Sequence, residues 1–462
     1  MDVTHILYNP GPPRERNRVP ASRCESPTQT PLRPAATRAL RYAPRVTIRK
    51  LPSDFRVDER ADGAWLRTLT PQAAPGHEHA IFSLVKQSLT TPEACAKLAR
   101  ALGVAPSRLE YAGLKDKHAR TRQHVSISPA AATGSSQPTP ASIARDIDDG
   151  SGDAWSATFI GFATSHVNAS IIDANAFEIV VRDLSPREAD AMIARARLLR
   201  YDTDDCGPSL LFTNYFGDQR FGSARHGDGF AARSLIHGDF EAALRLLIAT
   251  PARKDSGSRR DTTRVLANLW GQWPEALATL TGGVERHAIQ ILASGGSFIE
   301  AFAALPHTTQ SLCVEAYQSH LWNAAARNLT HHIATNEEIV ADDDFGEMVF
   351  APFHTITENL HAATMPMPAR GVEPQPPWAD AMHAALESEG LRMDQLTIPH
   401  VRRPAFRTAD RPLFAAATQV SFGATQRDEL ASPRSPNRSK REVSFTLPRG
   451  SYATVLLRAM GQ

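Results

Sequence analysis

The stretch Tyr111-Ala-Gly-Leu-Lys-Asp-Lys-His-Ala-Arg-Thr-Arg-Gln-His124 sets one carboxylate, Asp116, between Lys115 and Lys117, with His118, Arg120 and Arg122 close behind. From Arg108 to Arg122 five Lys or Arg face two acids, in a chain whose formal net charge is only +2. Adjacent cations keep a carboxylate ionised, and the surrounding charge attracts a polyanion. An ionised Asp in a phosphate-binding surface suits attack on a nucleotide. The plainer alternative is a solvated turn whose Asp balances its neighbours.

Outward from that stretch, strand and helix signals alternate. Upstream, Ala80-Ile-Phe-Ser-Leu-Val85 reads as a strand, and a helix follows it. Thr90 or Thr91 can cap this helix, Pro92 suits its first turn, and Glu93 favours the positive end of the dipole. Ala94, Leu98 and Leu102 lie along one face, and Gly103 can end it. Downstream, Gln123 to Ile127 is a second strand. Val46 to Leu51 alternates like a short strand, Pro52-Ser-Asp54 turns it, and Phe55 to Glu59 alternates again. Ala176 to Arg182 resumes strand character. Ser185-Pro-Arg-Glu188 is a capping box opening a helix to about Arg200. Two-residue alternation with these helices predicts an α+β fold: a half-buried, mostly antiparallel sheet carrying helices on one face.

From about Phe230 the periodicity turns helical. Phe240, Ala243, Leu244, Leu247 and Ile248 form one apolar stripe; Val314, Tyr317, Leu321, Ala325 and Leu329 form another, in a longer helix. Arg253 to Arg264 reads as a polar connector between helical pieces. Strand signals return at Leu413 to Val420 and at Val443 to Leu447, around a basic Pro/Ser loop from Arg427 to Arg441. Sheet, helices, then sheet again predicts one domain inserted into another. The expected division is a disordered basic leader over 1–44 and a first catalytic part over 45–225, with a flexible insertion at 129–153. A helix-rich insertion over 226–405 and final strands over 406–462 complete it.

The 462 residues suffice for two or three domains, and 42% hydrophobic with 22% charged residues is ordinary for a soluble globular protein. The basic excess is local: residues 1–50 carry ten Lys or Arg against three acids, and 427–449 six against three. Cys24, Cys95, Cys206 and Cys313 are far apart and form no CxxC pair, which excludes a zinc module or disulfide framework by pattern and fits a reducing compartment. No membrane-length apolar run and no secretion signal is evident. His77-Glu-His79 lacks a third metal ligand, and Asp342-Asp-Asp344 lacks EF-hand spacing. No GxGxxG or GKS/GKT loop is present. Neither a metal nor a cofactor is expected.

Asn214-Tyr-Phe-Gly-Asp-Gln-Arg-Phe-Gly222 mixes aromatics, amides, an Arg and two glycines. Such a segment can stack a base and clamp a phosphate, or be a buried aromatic turn. Asn175 could read a uracil edge or hold a turn; Phe177 could stack on a base or fill the core.

With those residues laid out, the chain resembles the TruD family of pseudouridine synthases. Tyr111 to Gln123 is similar to the family's Ala-Gly-x-Lys-Asp-x-x-Ala-x-Thr-x-Gln signature, matching at Ala112, Gly113, Lys115, Asp116, Ala119, Thr121 and Gln123. Asn214 to Gly222 resembles its Asn-Tyr-Phe-Gly-x-Gln-Arg-Phe-Gly segment. Ile48 to Glu59 and Leu447 to Thr454 resemble its first strand–turn–strand and its last strand, and Tyr317 to Asn323 a helix of its inserted domain. The resemblance implies that Asp116 is the catalytic Asp, with Arg49 where the family has a Lys and Phe55 on a site aromatic. Asn175 and Phe177 fall on the family's Gly-Asn-x-Phe element, the Phe lying against the target base. Lys115, Asn214, Gln219, Arg220 and Phe221 are implied substrate-binding residues. The family Gly before Asn175 is Ala174, which any positive-φ requirement would strain, and His166 to Asp173 match poorly.

The implied activity is conversion of uridine to pseudouridine in tRNA, at position 13 of the D-arm, by a monomeric cytoplasmic enzyme. Arg120, Arg122, the leader and the 427–441 loop are expected to touch phosphates. The alternative is a non-catalytic RNA-binding protein or RNA chaperone on the same scaffold.

Overall fold

Alternation along the strands builds the sheet on which everything else packs. Phe55, Val57 and Glu59 are buried while Arg56 between them is exposed, as the two-residue period of a strand requires. A computed structural model describes residues 40–42, 47–129, 154–203, 207–224, 229–251 and 255–462, all within one compact unit, Arg38–Gln462. The large sheet has 11 strands, nine of them in the order Ala154–Ala163, His79–Gln87, Arg120–Ile127, Phe55–Ala61, Ile172–Leu184, Ser439–Pro448, Phe414–Phe422, Gly207–Thr213 and Arg200–Thr203. Every pairing in it is antiparallel except that of Phe55–Ala61 with Arg120–Ile127. The fold is therefore the expected α+β type. Strands from both ends of the chain flank Ile172–Leu184 at its centre, where Phe177 pairs with Val57 on one side and Phe445 on the other.

The helices follow their caps. Thr90 accepts from the Glu93 amide, Glu93 reaches back to Thr90, and Gly103 at φ +67 closes the helix Thr91–Leu102. That left-handed conformation favours glycine. Ser185 and Glu188 box the start of Pro186–Leu198 in the same way. Ala94, Cys95, Leu98 and Ala99 pack on Phe82, Leu84 and Val125 of the sheet. In the helix-rich stretch both predicted stripes are buried, within Phe240–Ile248 and within the 28-residue helix His307–Ala334. No helix among the described residues is long and apolar enough to cross a membrane.

Four expectations need correction or fall outside the described residues. Residues 47–51 are not a strand: Thr47 makes one bridge to Arg182, and the chain then bends into the turn at Pro52–Asp54. Much of the Arg253–Arg264 connector is helix, Gly257–Asn268, because Ser256 caps it and Thr263 and Leu266 give it a buried face. Within the leader, Leu40–Tyr42 pairs in parallel with Ile339–Ala341; residues 1–39 lie outside the described residues. So does the insertion from 130 to 153.

A buried charge cluster ties the sheet's first turn to the basic loop near the C-terminus. Arg182 donates to both carboxylate oxygens of Asp54, at 2.8–3.0 Å, and also to Asp428 at 2.8 Å and Glu429 at 3.1 Å. Asp428 in turn accepts from the backbone amide of Asp183 at 3.1 Å. Removing one partner of such a group leaves uncompensated charge in low dielectric. Arg182→Ala is expected to lower the unfolding free energy by about 3–5 kcal/mol, measured by urea denaturation.

Candidate active site

The loop between Leu109–Tyr111 and Arg120–Ile127 carries Asp116, and buried polar side chains tether it to the scaffold. Thr91 accepts from the Lys115 amide at 3.0 Å and donates to Gln123 at 2.9 Å, while Gln123 donates to the Gly113 carbonyl at 3.4 Å. Lys86 donates to the Asp116 carbonyl at 2.6 Å. Thr91, Gln123 and Lys86 are all fully buried.

The Asp116 carboxylate is reached from three sides. Arg49 Nη1 lies 3.0 Å from Oδ2, Gln219 Nε2 donates to the same oxygen at 3.2 Å, and the His118 amide donates to Oδ1 at 2.9 Å. Its side chain remains 15% exposed, so a reactant can still approach it. Beside it, Lys115 Nζ sits 2.7 Å from Glu59 Oε2 and donates to Asn175 Oδ1 at 3.0 Å. The Glu59 carboxylate also accepts from the His124 amide at 2.9 Å. Burial raises the Glu59 pKa, but hydrogen bonds from His124 and the Lys115 charge outweigh it and hold the group below its ordinary 4.5.

Aromatic rings form the floor. Phe177 stacks on Phe445 at 5.4 Å and meets Phe55 edge-on at 6.1 Å, and the Arg49 guanidinium lies 4.5 Å over the Phe55 ring. Arg49, Phe55, Lys115, Asp116, Asn175, Phe177 and Gln219 all line one cleft of about 270 Å³. A further wall is the stretch from Gly450 to Thr454, which enters the helix Ala453–Ala459. A Cβ on Gly217 would come within 3.0 Å of the Tyr452 ring, so glycine lets the Asn214–Gly222 segment close against that wall.

The structure gathers seven of the ten residues singled out in the sequence and sets three apart. Asn214 is buried, holding Pro412 and Arg411. Phe221 is core, 4.6 Å from Phe345. Arg220 pairs with Glu315 at 3.0 Å and donates to Ser319. These three shape the segment that delivers Gln219. Arg120 and Arg122 also turn away: alternation sends them to the face opposite Thr121, into a second pocket where Arg122 approaches Asp58 at 3.7 Å. Ala174 lies in the strand Ile172–Leu184 beside a register shift, paired with Arg60 and Pro448, and outside the set of positive-φ residues. The replacement of glycine there carries no strain. Sequence reasoning missed Lys86, Glu59 and Tyr452. Glu59 and Tyr452 lie within quoted motifs, but nothing local marks their direction.

The sequence profile of tRNA pseudouridine synthase D (TruD) matches residues 44–460, and the chain belongs to that family. Membership places it among isomerases. It is 26% identical over 415 residues to "tRNA pseudouridine synthase D" of Aquifex aeolicus (strain VF5), covering 88% of this chain and 98% of that one. A Methanococcus maripaludis relative named "Probable tRNA pseudouridine synthase D 1" is 25% identical over 389 residues, 82% and 92% of the two chains. The crystal structure of a TruD protein from Methanosarcina mazei superposes with a TM-score of 0.59 at 21% identity, covering 91% of this chain and 95% of that chain.

A depressed Glu59 pKa means stabilisation that is present above the ordinary value of 4.5 and is lost as pH falls through the folded value. Glu59→Gln should lower the thermal midpoint at pH 7 and flatten the decline in stability on the acid side, as followed by calorimetry across pH.

Proposed function

We propose that the protein converts a uridine of tRNA to pseudouridine, at position 13 of the D-arm, with Asp116 as the catalytic carboxylate. One observation carries the reading: a partly exposed Asp116, held by Arg49 and Gln219, at the edge of a cleft with Phe177 in its lining. The reaction breaks the C1′–N1 bond, forms C1′–C5 on the same base, releases the C5 proton and leaves a proton on N1 in its place. No electrons enter or leave. Ionised Asp116 acts on the ribose–base unit, as nucleophile at the sugar or as the base that removes a sugar proton. Arg49 Nη1, 3.0 Å from Oδ2, sets a positive charge against the carboxylate.

A target uridine inside folded RNA must flip out, at a cost of a few kcal/mol. Stacking worth ~1–3 kcal/mol per base offsets this, and Phe177, fixed by Phe55 and Phe445, is the ring we assign to it. Asn175 accepts from Lys115 through Oδ1, which leaves its amide N–H groups for a uracil carbonyl. Residues 45–225 and 406–462 form the catalytic part in this reading, and 226–405 the inserted part. The enzyme works as a cytoplasmic monomer on tRNA.

Asp116→Asn should abolish tritium release from tRNA labelled at uracil C5 while leaving RNA affinity within a few-fold. Release by the purified variant would remove Asp116 from the mechanism. Phe177→Ala should slow the single-turnover rate roughly 5- to 150-fold, the kinetic equivalent of losing one stacked base; an unchanged rate would make the ring merely core.

A further inference from the structure

Lys86 is the unusual group in the scaffold beneath the cleft. It is 0% exposed in the strand His79–Gln87 and forms no ion pair with a carboxylate among the described residues. Its hydrogen bond goes to the backbone carbonyl of Asp116, at 2.6 Å. A buried ammonium without a carboxylate partner costs stability. Leu84 and Phe82 on the same strand face pack apolar side chains against the helix Thr91–Leu102, and a Met at 86 would fill equivalent space without that cost. Packing therefore does not account for the charge. The charged groups near it are Asp116, Lys115 and Glu93; burial pushes its pKa down to about 8, against the pull of Asp116.

We propose that Lys86 is a positioning residue for the isomerisation: it pins the Asp116 peptide from beneath while Arg49 and Gln219 hold the carboxylate from the cleft. The inference rests on the functional reading above. The tether fixes the height of the Asp116 peptide relative to the sheet, and so the reach of its carboxylate into the cleft that Phe177 also lines. The charge lies where water cannot screen it from the carboxylate. Thr91 and Gln123 tether the loop at Gly113 and Lys115, upstream of the reacting residue; Lys86 alone among the three holds Asp116 itself.

Lys86→Met removes both tether and charge, whereas Lys86→Gln removes the charge and keeps a donor, one bond shorter, that can hold the carbonyl only in part. With full-length protein and a tRNA transcript tritiated at uracil C5, the Met variant should lose about 100-fold in single-turnover rate, as small displacements of a catalytic group do. Its RNA affinity should stay within roughly threefold, since nothing that touches RNA has changed. The Gln variant should recover part of that loss. The wild-type rate should fall as pH rises through about 8, and Lys86→Gln should lack that fall. Rates within roughly threefold of wild type in both variants, a wild-type profile flat across that pH, an alkaline fall shared by Lys86→Gln, or loss of the folded state in both variants would overturn the inference. Absence of tritium release by the wild-type protein would instead defeat the functional reading.

Discussion

The ion pair between Arg49 and Asp116 joins two segments far apart in the sequence. One is the bend that leads into the first central strand; the other is the loop hung between Tyr111 and Arg120. Arg49 can reach the carboxylate because Thr47 bridges to Arg182, and Arg182 in turn grips Asp54 just before Phe55. The same guanidinium lies over the Phe55 ring, which braces Phe177. Charge and aromatic floor are thus set by one stretch of chain. An Arg at this position suits both contacts, since its planar head pairs with a carboxylate and stacks on a ring.

The site is a meeting of distant segments, and this explains why the sheet is closed by both ends of the chain. Phe177 stacks on Phe445, and Tyr452 lines the cleft along with Asn175. The helix-rich stretch contributes from outside: Asn323 accepts from the Phe216 amide and donates to its carbonyl, and Glu315 and Ser319 hold Arg220. These contacts fix the segment from which Gln219 reaches Asp116. Any shift of that stretch relative to the sheet would be felt at the carboxylate.

Much of this was legible in the residues, for reasons that are local. Thr90, Glu93 and Gly103 mark their helix because caps act within one turn. Phe55 to Glu59 and Ala176 to Arg182 alternate because their strands bury one face. What remained hidden is long-range. Lys86 reads as one more strand residue, since its partner is a carbonyl 30 residues on. Asn214 and Phe221 share a motif with Gln219, yet only the fold shows that two of them face inward and the third faces the cleft. Val46 to Leu51 alternates like a strand, but among the described residues Thr47 to Leu51 only Thr47 makes a bridge.

The central claim is that a cleft holding one ionised carboxylate isomerises a base and does not merely bind it. Nucleoside analysis of unmodified tRNA, before and after incubation with the purified protein, tests this most directly. The account predicts that one uridine per tRNA disappears and one pseudouridine appears in its place, with no change in mass. Tight binding of the tRNA with its uridine content intact would contradict it.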